Sequence, residues 1–79
     1  MRIKFDGQLW NVWLSDDGTL DTIISVCPVR GRHRVAHEIR FDGEYASNAR
    51  RKDGAMTTSG FRRLALEAIA AYADDLEDS

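Results

Sequence analysis

From Thr57 to Leu76 the apolar side chains Phe61, Leu64, Ala65, Ala68, Ile69, Tyr72 and Leu76 recur at spacings of three and four. That period places them on one face of an α-helix, with Arg63, Glu67, Ala70 and Asp74 opposite. Thr57, Thr58 and Ser59 offer N-cap hydroxyls, and no proline interrupts the run after them. A lone helix cannot bury its own apolar stripe. The other residues must therefore supply a surface for it, and that requirement governs how the remaining sequence is read.

Upstream the period changes from helical to strand-like. Arg2 to Phe5 alternates, Asp6-Gly7 has the chemistry of a type I′ hairpin turn, and Leu9 to Ser15 alternates again. Trp10, Val12 and Leu14 then share one face, and Leu9, Asn11 and Trp13 the other. Ser15-Asp16-Asp17-Gly18 reads as a second turn. Thr19 to Cys27 is rich in β-branched residues, with Leu20, Thr22, Ile24 and Val26 on one side, and Pro28 ends it. His33 to Phe41 reads as a further strand with Val35, His37, Ile39 and Phe41 on one side. Asp42-Gly43 reads as a turn and Glu44 to Asn48 as a short strand. Ile3-Lys4-Phe5-Asp6-Gly7-Gln8-Leu9 and Ile39-Arg40-Phe41-Asp42-Gly43-Glu44-Tyr45 match in pattern, but their flanks differ, which favours two independent hairpins over a duplication.

The expected architecture is α+β: an antiparallel β-meander of three to five strands, over about 2–56, with one C-terminal α-helix, over about 58–76, packed on one face. Residues 1–79 are expected to form a single domain, because a chain this short buries only about 60% of its unfolded surface and leaves little room for a second core. Phe61, Leu64, Ala68 and Tyr72 should pack on Trp10, Val12, Ile24, Val35 and Ile39.

The net charge of −2 conceals segregation. Residues 1–29 carry −2, residues 30–63 carry +5, and residues 64–79 carry −5. Cys27 is the single cysteine, so no internal disulfide is available, in keeping with a reducing compartment. Met1 to Asp6 lacks an apolar signal core, and no run approaches the roughly 18 apolar residues of a membrane span. A soluble, cytoplasmic protein is expected.

Catalytic and metal chemistry find little support in the residues. His33 and His37 share a strand face and Cys27 lies nearby in sequence, but four-apart histidines are a helical ligand pattern, and a fourth ligand is missing. Cys27, His37 and Asp42 have the residue types of a nucleophilic triad without its local context. No glycine-rich phosphate loop occurs. Neither an enzyme nor a cofactor nor a metal is expected.

Charge offers two candidate surfaces. Asp16, Asp17, Asp21, Asp74, Asp75 and Glu77 form an acidic set. A row of carboxylates imitates the phosphates of nucleic acid and fits an Arg/Lys groove on a partner. Arg62 and Arg63 near the start of the helix, and the acids at its end, both oppose the macrodipole. A local rule broken at both ends can mark a functional surface. Arg30, Arg32, Arg34, Arg50, Arg51 and Lys52 form a basic set that would bind phosphates if its two loops converge. An exposed Trp13 would instead point to a protein interface.

With its one short domain, a meander plus helix, a lone Cys27 and the carboxylates Asp74, Asp75, Glu77 and Asp78, the chain resembles the small anti-CRISPR proteins of phages and mobile elements. The resemblance covers the whole chain in kind and transfers no residue by position. It implies a non-catalytic protein that acts in the host cytosol as a monomer or homodimer. Such a protein binds a CRISPR effector complex and blocks target DNA recognition or nuclease recruitment. The basic middle of the chain departs from a pure DNA mimic. The alternative is a small domain that binds nucleic acid directly through its arginine loops.

Overall fold

In a computed structural model, the protein is described over residues 1–15, 21–31 and 35–77. Four strands come first: β1 (Arg2–Phe5), β2 (Gln8–Ser15), β3 (Thr22–Pro28) and β4 (His37–Phe41). They pair antiparallel in the order β1-β2-β3-β4. A short helix α1 (Gly43–Ala46), a 3₁₀ turn (Ser47–Ala49) and the long helix α2 (Thr58–Glu77) complete the chain. The expected α+β fold, a meander with a C-terminal helix against one face, is what the protein adopts.

The first hairpin obeys its turn chemistry. Asp6 (φ 51°) and Gly7 (φ 80°) both take positive φ, as a type I′ turn requires, and Phe5 pairs with Gln8 to close it. The register then sets which side chains face α2. Ile3 pairs with Trp10, Val12 with Val26 and Ile24 with Ile39. Ile3, Trp10, Val12, Ile24 and Val26 are buried with Leu64, Ala65, Ala68, Ile69 and Tyr72 of α2. Phe5, Ile39, Phe41, Met56, Phe61 and Leu66 pack around that cluster. Each large buried side chain contributes roughly 1.5–3 kcal/mol. Tyr72 sits at the centre of an aromatic group. Trp10 meets it edge-on at 5.8 Å and His37 stacks on it at 4.7 Å. Among the described residues the buried indole N–H of Trp10 has no hydrogen-bond partner.

Several sequence expectations are corrected. Glu44 to Asn48 is helical, so the meander ends at Phe41 rather than near residue 56. Asp42 does not turn a hairpin. Its carboxylate accepts from the Glu44 N–H at 2.9 Å and caps α1, and the segment beyond it lacks the β-branched residues that favour a strand. Bringing Ala46 and Ala49 into the core rewards the helical choice, since both are fully buried. β4 begins only at His37 among the described residues. Val35 is 69% exposed and contributes its carbonyl, not its side chain, by accepting from the Tyr72 hydroxyl at 3.4 Å. Among the described residues β3 runs Thr22–Pro28, with Pro28 its last residue, opposite Trp10; Thr19 and Leu20 lie outside the described residues.

α2 starts where its hydroxyls predict. Thr57 accepts from the Gly60 N–H at 2.9 Å, and its carbonyl accepts from Phe61 N–H. The same residue ties the helix to the 3₁₀ turn. Its N–H and its hydroxyl both donate to the Ala49 carbonyl. No helix of the described residues is long and apolar enough to cross a membrane.

Candidate functional site

The two charged sets do not stay separate, and neither assembles as a block. Asp21 sits at the foot of β3. One carboxylate oxygen lies 3.1 Å from the Arg40 guanidinium, and the other accepts from the Gly43 N–H at 3.3 Å. This acid joins β3, β4 and the start of α1, so its charge is committed within the fold. Asp74 and Asp75 stay exposed near the end of α2, and Glu77 is its last residue. Asp16 and Asp17 lie outside the described residues.

Among the basic residues, Arg50 is also committed. Its guanidinium donates to the Gly54 carbonyl at 2.8 Å and to the Thr22 hydroxyl at 2.9 Å. It holds the 50–56 loop, closed by the Arg50–Met56 bridge, against β3. Arg51 and Lys52 are exposed, with Arg51 4.0 Å from Asp53. An open cleft of about 530 Å³ joins Arg50, Arg51 and Lys52 to Asp21, Asp42 and Glu44. Three cations and three carboxylates line it, so their formal charges sum to zero. Arg30 lies at the opposite end of the sheet, where its carbonyl accepts from the Gln8 amide at 3.4 Å. Arg50 touches Thr22 at the start of β3, and Arg30 lies just past Pro28 at its end. Six residue steps along a strand separate them by about 20 Å. The described parts of the two arginine loops therefore do not converge. Arg32 and Arg34 lie outside the described residues.

His37 and Cys27 are on opposite faces of the sheet. Val26 pairs with His37, and Cys27 is the next residue along β3, so its side chain points away from Tyr72. His33 lies outside the described residues. Tyr45 of α1 stacks on Phe41 and donates to Glu67 at 2.6 Å. That hydrogen bond, which holds the phenol in its protonated form beside a carboxylate, raises its pKa above the usual tyrosine range.

The surface with the most binding character is the sheet face turned away from α2. Alternation puts Arg2 and Lys4 of β1, Leu9, Asn11 and Trp13 of β2, Ile23, Ser25 and Cys27 of β3, and Glu38 and Arg40 of β4 on this side. Among the described residues no helix packs on it, since α1, the 3₁₀ turn and α2 all contribute to the core on the other side. Trp13 is 43% exposed and Leu9 42%, whereas Trp10, three residues away on the same strand, is 2% exposed. The β3 part of this face is closed, with Ile23 buried and Ser25 buried between Trp13 and Glu38 in the register, its hydroxyl 2.8 Å from that of Ser15, so the open part is that of β1 and β2. Arg2 and Lys4 belong to neither charged set read from composition. Hairpin register and strand alternation are the signals that place them beside Trp13. Comparison with known protein families, curated proteins and solved structures gives no match.

Proposed function

We propose that this chain is a non-enzymatic binding protein that docks on a host protein or nucleoprotein complex in the cytosol. One observation carries the reading: Trp13 is 43% exposed on the sheet face turned away from α2, on which no described helix packs. An exposed tryptophan is of a residue type enriched among the anchors of interfaces. The resemblance to anti-CRISPR proteins makes the partner a CRISPR effector complex and the outcome a block of target DNA recognition. In that setting Asp74 and Asp75, on the opposite layer, supply a separate acidic surface for a basic groove. The alternative of direct binding through the arginine loops is weakened by the distance between Arg30 and Arg50.

The test is affinity capture from host lysate with tagged wild type and Trp13→Ala. The reading expects wild type to retain a defined complex and Trp13→Ala to lose it, roughly tenfold or more, with an unchanged melting curve. Equal capture by both proteins overturns it.

A further inference from the structure

We infer that the exposed β1–β2 part of the sheet face turned away from α2 binds single-stranded nucleic acid, with Trp13 as a stacking platform and Arg2, Lys4 and Arg30 as phosphate contacts. The inference rests on the reading that this face is the binding surface, and names what occupies it.

The first argument is placement. Along β2 the face carries Leu9, Asn11 and Trp13, each two residues from the next and so about 6.7 Å apart. Beside them on β1, Lys4 is directly across from Leu9 and Arg2 directly across from Asn11. Cations thus line one side of a row that ends in an exposed indole. Arg30, exposed just past the end of β3 and beside Gln8 at the start of β2, adds a cation on the other flank of that strand. There Gly7, Gln8, Leu9, Arg30 and Gly31 surround an open hollow of about 460 Å³. An aromatic platform beside a basic track is the arrangement that receives unpaired bases and their backbone, because every base has a stacking face. The amide of Asn11, between indole and guanidinium, is placed to hydrogen-bond a base edge.

The second argument is charge. β1, β2 and β3 contain no carboxylate side chain, and the exposed Asp6 of the β1–β2 turn is the one acid beside the row among the described residues of these strands and that turn, so Arg2, Lys4 and Arg30 leave it net positive. Glu38 lies on the far strand, β4, and Arg40 on the same strand is engaged by Asp21.

The third argument is length. At about 3.3 Å per residue the eight residues of β2 run about 26 Å, and a strip of that length along one strand is enough for a few nucleotides.

The test is fluorescence anisotropy with labelled oligothymidylate and oligouridylate of about ten nucleotides, titrated across a salt series. Three phosphate contacts predict a slope of log K against log salt of about −2 for wild type, and of about −0.7 for Arg2→Gln/Lys4→Gln. Loss of one stacked base predicts roughly ten- to hundredfold weaker binding for Trp13→Ala. A duplex of matching length should compete poorly. No binding at low salt, or binding unaffected by both variants, overturns the inference. It fails apart from the broader reading in a recognisable way. Lysate capture that depends on Trp13 yet survives nuclease, without oligonucleotide binding, keeps the face and removes the nucleic acid. Oligonucleotide binding that depends on Trp13, with lysate capture indifferent to it, keeps the nucleic acid and removes the docked complex.

Discussion

Gly60 and Ala49 meet where the long helix crosses the 3₁₀ turn, and their contact shows how finely a small core is fitted. A Cβ added at Gly60 would lie 2.6 Å from the Cα, Cβ and carbonyl oxygen of Ala49. Thr57 anchors that backbone through two hydrogen bonds to the same carbonyl, so it cannot yield cheaply. Alanine ordinarily stabilises a helix position relative to glycine by roughly 0.5–1 kcal/mol. Here the overlap should outweigh that gain, and Gly60→Ala is predicted to lower stability by about 1–3 kcal/mol in urea titration. A variant at or above wild-type stability would mean that the helix is not seated against Ala49. At this scale the sequence was partly legible. Thr57 could be read as a cap because its hydroxyl chemistry is local. The role of Gly60 could not, since it depends on Ala49, which lies beyond the loop and just past a segment that reads as a strand.

Elements repeat the lesson with a matched pair. Asp6-Gly7 and Asp42-Gly43 sit in near-identical local sequence, yet the first turns a hairpin and the second starts a helix. The residues beyond each turn decide the difference. Leu9 to Ser15 alternates and contains Val and two Trp, so a returning strand has a face to bury. Glu44 to Ala49 offers small residues at Ala46 and Ala49, which fit under α2 only when the segment coils. α2 itself was legible throughout because its period is long and unbroken, and its charges make a prediction of their own. No acid lies in its first turn and no base in its last, so the termini lack the charges that would complement the macrodipole. Asp74→Lys/Asp75→Lys should therefore raise stability by about 1 kcal/mol at low salt, seen as a Tm about 4–8 °C higher. The gain should shrink in high salt. A lower Tm would show that these carboxylates serve the fold. A raised Tm would leave them as charges kept at a cost, which is the pattern a binding surface produces.

The whole molecule is two layers, and among the described residues no helix packs on one side of the sheet, where Arg2, Lys4, Leu9 and Trp13 are exposed while Ile23 and Ser25 of β3 are buried. Helix, 3₁₀ turn and α1 all gather on the side of Ile3, Trp10, Val12, Ile24 and Val26. The opposite side keeps Trp13 in the open. Strand alternation foretold that the two tryptophans would part. It did not foretell which features would surround Trp13, because that depends on register between strands and on where the later helices settle. The charged loops were the conspicuous features of composition, yet the fold commits Asp21 and Arg50 to holding elements together. Both functional proposals rest on the division between a shielded and an accessible indole. Acrylamide quenching of tryptophan fluorescence tests it most directly, comparing wild type with Trp13→Phe. Wild type should show two emitting populations, one readily quenched and one shielded. Trp13→Phe, retaining only Trp10, should lose the quenchable population and keep the shielded one. If wild type shows only shielded emission, or if Trp13→Phe remains as quenchable as wild type, then Trp13 is not exposed on that face and the proposed binding surface does not exist.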